Sequence, residues 1–400
     1  MVSTPLVYDP YDYVIDADPH PIWRRLRDEV PLYYNEQHDF YALSRFDDVL
    51  QAHLDPSTFS SAHTTVLEMM EDEPGEFMRS FMIFMDPPVH TRYRKLVSRA
   101  FTPRHMSALE PRIRTLAGNF LDELSADGSR SFDYVDEFGA RLPVMVISAL
   151  LGAPEEDEPQ LREWTDAMLH IEEGGLMGAH ATEIRDSVHG YWQAHIDERR
   201  RSPRDDIMSE LMTADLEDDD GSLRFLTDEE IHAFMGLLSG AGNETVARFL
   251  GWSAVGLERF PEERAKLVAN PALMPNAVEE ILRWEAPSPI QGRWVTREVE
   301  IGGATLPARS KVALLTGAAN RDERMFADAD RIDVEREIPR HVAFGYGIHF
   351  CLGAALARLE GRIALEETLK RFPTWSVDHD NTEMVHTSTV RGYSKVPIVT

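Results

Sequence analysis

Only one cysteine occurs in the 400-residue chain, and it lies in the decapeptide Phe344-Gly345-Tyr346-Gly347-Ile348-His349-Phe350-Cys351-Leu352-Gly353. A lone thiol forms neither an internal disulfide nor a multi-cysteine zinc site, so Cys351 is either a buried apolar side chain or a presented reactive group. Gly345, Gly347 and Gly353 allow positive φ and close approach, so the segment can wrap against a flat object instead of continuing as strand or helix. From Leu352 the pattern Leu-Gly-Ala-Ala-Leu-Ala-Arg-Leu-Glu-Gly-Arg-Ile-Ala-Leu reads as an apolar-faced helix, which places Cys351 just before a helix N-terminus. Amide donors and the helix dipole there favour a thiolate. Between Phe344 and Phe350, that thiolate suits one soft metal centre under apolar cover.

A second segment, Leu237-Leu238-Ser239-Gly240-Ala241-Gly242-Asn243-Glu244-Thr245-Val246, falls inside a long helical stretch. The stretch opens at Thr227-Asp228-Glu229-Glu230, a capping box with Thr227 as N-cap, and closes before Pro261. Gly240 and Gly242 each cost about 1 kcal/mol relative to Ala in mid-helix, so something other than propensity explains them. Small residues followed by an acid and a hydroxyl open a groove for a small ligand and water. Alternatively, Thr245 bonds the Ala241 carbonyl and the glycines serve packing. A third segment, Glu280-Ile281-Leu282-Arg283, puts acid and base three apart on one helix face, a spacing that is weak evidence by itself.

The stretch from Pro87 to Leu109 contains Arg92, Arg94, Lys95, Arg99 and Arg104 and no acid, within a chain of net charge -28. A basic island in so acidic a protein needs an anionic partner. With a pI near 4.9 nucleic acid is excluded; cofactor carboxylates or a small acidic protein remain. No run of ~18 apolar residues occurs, and the N-terminal residues have neither a basic n-region nor an apolar h-region. Together with the single cysteine, this predicts no membrane insertion and a cytoplasmic location.

At every defining position the cysteine decapeptide resembles the heme-thiolate signature of the cytochrome P-450 family. The likeness runs from about Pro19 to the C-terminus. It implies a mainly α (α+β) fold, a triangular helical prism with a small β-rich region, in one domain over residues 1–400. It implies heme b with Cys351 as axial ligand, a loop shaped by Phe344, Gly345 and Gly353, and propionates held by His90, Arg94, Arg293 and His349. Ala241 and Gly242 would line the oxygen groove, and Glu244 and Thr245 would manage protons. Glu280, Arg283 and Arg336 would form a buried support for the cysteine loop. The Met- and Phe-rich residues 66–85 would cover the distal face, a glycine-rich stretch with Gly174, Gly175 and Gly178 would be a second flap, and Met82, Phe84, Met85, Phe234, Leu238 and Ile290 would line the substrate pocket. The activity implied is dioxygen-dependent hydroxylation or epoxidation of a hydrophobic small molecule, such as a lipid, terpenoid or steroid. Electrons would come from a ferredoxin and ferredoxin reductase, with NAD(P)H acting only through them. Alternatives are tailoring of a polyketide-type natural product, a peroxide-driven peroxygenase and a non-catalytic heme-thiolate sensor. Asn320-Arg321-Asp322-Glu323 and Asp328-Ala329-Asp330 lack prolines often found in this stretch of the family, which bears on local loop geometry.

Overall fold

The computed structural model describes residues 6–400 except 74, 100, 127, 129, 170, 173–175, 178–180, 205, 219 and 388. About 54% of the chain is helical, in keeping with the mainly α architecture. The capping box at Thr227 is present: its hydroxyl accepts from Glu230 N at 3.2 Å, and the Glu230 carboxylate accepts from Thr227 N at 2.7 Å. Helix Asp228–Arg259 follows, 32 residues long, and spans about 48 Å at ~1.5 Å per residue. Most of its residues are buried. Two of its glycines set close approaches: a Cβ at Gly251 would lie 2.9 Å from Val135 Cγ2, and one at Gly256 2.7 Å from Ile332 Cδ1.

Around this axis pack helices Arg141–Leu151, Ala181–Arg201, Met274–Trp284 and Ala354–Arg371. The last two meet beneath the cysteine loop. Helix Ala354–Arg371 begins two residues later than its apolar pattern indicates, because Gly353, at φ -81° and ψ 5°, serves as its N-cap. A Cβ at Gly361 would sit 2.6 Å from the Phe249 ring, so this helix lies directly on the long one.

The β region is a five-stranded mixed sheet ordered Leu32–Asn35, Phe40–Leu43, Lys311–Leu314, Gln291–Val295, Phe59–Ser60. Only the second and third strands run parallel. Val312 pairs with Arg293, which fixes the height at which that arginine leaves the sheet. The hairpin Val299–Ile301/Ala304–Leu306 turns at Gly302 and Gly303, both at positive φ, as its sequence indicates. The loop without prolines is instead held by polar bonds: the Asn320 carbonyl accepts from Arg283, and its Oδ1 accepts from Val342 N at 2.8 Å. Residues 66–85 form three short 3₁₀ turns, Leu67–Met69, Glu76–Ser80 and Met82–Phe84, rather than a helix. Pro74, the side chain of Phe77 and the flap glycines Gly174, Gly175 and Gly178 lie outside the described residues. Among the described residues no helix is long and apolar enough to cross a membrane.

Candidate functional site

The cysteine loop is built by its glycines. Gly345 and Gly347 both adopt positive φ, and a Cβ at Gly347 would stand 2.5 Å from the His53 carbonyl, so only glycine fits there. Phe344 O accepts from Cys351 N at 3.0 Å, closing the loop, and Phe350 N donates to Gly347 O at 3.1 Å. Burial pushes the Cys351 thiol above its usual range, partly offset by the Gly353 backbone and by the charges of Arg94 and Arg358. A Cβ on Gly353 would meet nothing within 4 Å. Among the described residues no three His, Cys, Asp or Glu side chains converge on one point, so a metal at Cys351 must bring its other donors with it.

Beneath the loop, Arg283 and Glu280 form a two-bond ion pair, Nε to Oε2 at 2.7 Å and Nη2 to Oε1 at 2.7 Å. Both side chains are fully buried. Arg283 also donates to the carbonyls of Asn320, Ala329 and Arg331, while Arg336 Nε and Asp333 N donate to Glu280 Oε1 at 3.0 Å each. Helix Met274–Trp284 is thereby tied to the chain leading into the cysteine loop.

Five basic side chains converge beside the loop. The His90 and His349 rings lie 4.2 Å apart; Arg293, Arg94 and His53 all act on His349 through space. His90, His53 and Arg293 are buried, and neither ring nitrogen of His53, nor Nε2 of His90 or His349, has a hydrogen-bond partner. Arg293 donates to the Gly292 carbonyl at 2.7 Å and Arg94 to the Phe350 carbonyl at 2.7 Å; among the described residues neither donates to a carboxylate. Burial, aided by neighbouring positive charge, depresses His90 to about 4, His53 to about 3 and His349 to about 2, and burial brings Arg293 to about 10 against an upward pull from Asp86. His53 carries no local sequence signal; its place follows from the contact of its carbonyl with Gly347.

On the long helix, Phe234, Leu238, Ala241 and Thr245 are spaced i, i+4, i+7, i+11 and so share one face. Phe234 and Leu238 are buried in the main apolar core, with the Phe234 ring 5.9 Å from that of Tyr93, whereas Ala241 is exposed. Thr245 Oγ1 donates to Ala241 O at 3.0 Å, the local bond that its position permits. Gly242 packs against Ile147, and a Cβ at Gly240 would meet open space. Glu244 points away from this face: it is buried and paired through both oxygens with Arg248, at 2.7 to 2.9 Å. Arg248, at i+4, was legible from spacing. Phe84 and Met85 line a cleft of about 630 Å³ with His63, Asp86 and Val89. Ile290 stands apart from the other pocket candidates, with Leu67 and Val390.

Comparison with known proteins decides the family. The sequence profile described as Cytochrome P450 matches residues 25–270 and 254–394. The chain belongs to the cytochrome P450 family. Cytochrome P450 130 of Mycobacterium tuberculosis (strain ATCC 25618 / H37Rv) is 41% identical over 90% of this chain and 89% of its own length. Vitamin D(3) 25-hydroxylase of Pseudonocardia autotrophica is 36% identical over 95% and 93%. The crystal structure of CYP109E1 from Bacillus megaterium in complex with testosterone superposes with a TM-score of 0.86, at 30% identity over 96% of this chain and 98% of that one.

This P450 is therefore a monooxygenase of a family that binds heme b. The donor set fits that cofactor. Porphyrin nitrogens complete a metal site to which the chain offers one thiolate, and two propionates supply the negative charge that the five crowded bases lack. A flat ring also accounts for a loop whose Gly353 faces empty space.

Proposed function

We propose that this P450 hydroxylates an apolar substrate of steroid or secosteroid type in the cytoplasm, as one oxygenase domain over residues 1–400. NAD(P)H would supply electrons through a ferredoxin reductase and a ferredoxin. The observation that carries the substrate class is the apolar helix face of Phe234 and Leu238, which runs into the exposed Ala241 and the half-buried Thr245, with Met82 and Met85 as its cover in this reading. Adaptable thioethers and one aromatic ring suit a rigid polycyclic ligand. The names of the vitamin D(3) hydroxylase and the testosterone complex support the same class.

When bound, heme supplies the redox chemistry by which dioxygen is activated. Cys351 would hold it as thiolate, and His90, Arg94, Arg293 and His349 would anchor its carboxylates. The Thr245 hydroxyl handles protons on the open face, and Glu244 contributes only after leaving Arg248. Lys95 and Arg99, exposed on the basic island, are the docking contacts for an acidic ferredoxin.

The test is a ligand titration of the heme-loaded protein with vitamin D3, testosterone, a macrolide and a fatty acid, read as a spin-state shift. Turnover with ferredoxin, reductase and NADH follows, with the product mass measured. A shift and one added oxygen with the steroid ligands are expected. A response to the macrolide alone overturns the substrate class in favour of polyketide tailoring.

A further inference from the structure

Helix Met274–Trp284 carries a second acid beside the buried Glu280, and nothing above uses it. Glu279 Oε1 accepts from Arg358 Nε at 2.6 Å, and Oε2 accepts from Arg358 Nη2 at 2.9 Å. His341 Nε2 lies 2.9 Å from the same Oε2. Because His341 Nδ1 accepts from Ala343 N at 3.2 Å, the ring proton sits on Nε2 and points at the carboxylate. Burial pushes the Glu279 carboxyl up, but His341 and Arg358 pull it down to about 2, so it is charged at neutral pH.

Both partners of Glu279 flank the ring of Phe344, the residue whose peptide closes the cysteine loop. The Arg358 guanidinium stands 4.6 Å over the Phe344 ring, whose other neighbours are His341 at 6.0 Å and Phe350 at 6.2 Å. The peptide of Phe344 takes the hydrogen bond of Cys351. The Arg358 charge also reaches the thiol and favours its anion. One carboxylate thus holds the residue that opens the loop, His341, and the residue beyond the cysteine, Arg358, and cancels the nearest positive charge on that side.

We propose that Glu279 is a positioning residue for Cys351, fixing Arg358 over Phe344 and offsetting the guanidinium charge that the thiolate would otherwise feel. The proposal rests on the reading of Cys351 as heme ligand. Electron donation from the sulfur is set by this balance. An uncompensated Arg358 stabilises the more negative, reduced state of the site, and an uncompensated Glu279 disfavours it.

The experiment is the reduction potential of the heme-loaded protein and its Glu279→Gln and Arg358→Gln variants at low and high salt, with the ferrous carbonyl spectrum recorded for each. Glu279→Gln should move the reduction equilibrium about threefold or more toward the reduced state. Arg358→Gln should move it by a similar factor in the opposite sense. Both shifts should shrink at high salt because the pair is only partly buried. A contact that merely holds the loop is lost equally in both variants, so shifts of the same sign overturn the proposal. Should a glutamine variant fail to retain heme, Glu279→Asp and Arg358→Lys replace it. Potentials close to the parent's are then expected, and a shift in either one overturns charge offset. A parent without a thiolate-type carbonyl band overturns the heme-ligand reading and this inference with it; a thiolate band with unmoved potentials overturns this inference alone.

Discussion

Replacing Glu280 by glutamine keeps the shape of the proximal network and removes its only negative charge. Arg283 is then left fully buried without an anionic partner, with three backbone carbonyls and at most the one glutamine oxygen as acceptors, and Arg336 loses its carboxylate while keeping the backbone carbonyls of Ala327, Asp328 and Arg331. Breaking a buried ion pair from one side typically costs about 3 to 5 kcal/mol. The carbonyls soften the loss, so the lower half of that range is expected. At about 2.1 cal/mol/K per residue, 400 residues give an unfolding entropy near 0.8 kcal/mol/K, and Tm should fall by about 4 to 5 °C. Arg283→Met should cost at least as much, because it takes two donors from the buried Glu280, leaving it Arg336 and Asp333 N, and strands three carbonyls. Arg336→Met should cost less, because that side chain reaches the surface and Glu280 keeps Arg283. The assay is a thermal melt of the heme-free and heme-loaded proteins, together with the fraction of heme giving a thiolate-type carbonyl band. A Glu280→Gln protein melting within about 1 °C of the parent, or the order of the two arginine variants reversed, would refute the reasoning.

The heme-free protein should lose stability as pH falls below about 6.5. Burial holds His90 near 4 and His53 near 3, so the unfolded chain takes up protons that the folded chain refuses; urea midpoints at pH 7 and pH 5 should differ without heme and converge with it, and equal differences would count against the carboxylate-binding role of the cluster. Glu360 acts in the opposite sense. Burial without a partner for Oε2 raises its carboxyl to about 8, so stability is full below about 4.5 and is lost as pH rises through 8, by up to about 5 kcal/mol at 1.36 kcal/mol per unit; a parent-minus-Glu360→Gln difference that stays flat with pH would disprove this. Charge reversal at Lys95 and Arg99 should slow reduction by a ferredoxin at least tenfold at low salt and flatten its salt dependence; unchanged rates would remove that partner surface.

What was legible in the sequence was local. The Thr227 capping box, the Gly302-Gly303 turn and the glycine loop around Cys351 each depend on residues within a few positions, and each stands in the structure where its pattern puts it. The Glu280–Arg283 spacing was equally visible, but only packing removes it from solvent, so spacing alone did not reveal the burial. His53 was invisible because it joins a cluster nearly 300 residues away in sequence, through a backbone contact with Gly347. Glu244 shows the reverse failure. Its acid-alcohol sequence drew attention to proton handling, while its partner, Arg248, stood in plain view one helical turn on.

Holding a cysteine and admitting a substrate place opposite demands on the same chain. Below the site, the ion pair of Glu280 and Arg283 is dry and its donors end on backbone carbonyls, so any displacement strands a charge and the cysteine has one position. Above it, in the function proposed here, lie the short 3₁₀ turns Leu67–Met69, Glu76–Ser80 and Met82–Phe84, whose poorer hydrogen bonds resist movement less, and the apolar side chains of Met82, Phe84 and Met85 are buried there. Volume-conserving exchanges there, such as Met82→Leu or Met85→Leu, should cost less than about 1.5 kcal/mol. Because a Leu cannot follow a ligand's outline as a thioether does, those exchanges should still change the order in which apolar ligands shift the spin state. Melting temperatures kept within a few degrees alongside a reordered ligand series would locate selectivity above the heme plane and stability below it. A reordered series from Glu280→Gln, with none from the methionine exchanges, would place selectivity below the plane and sink this division.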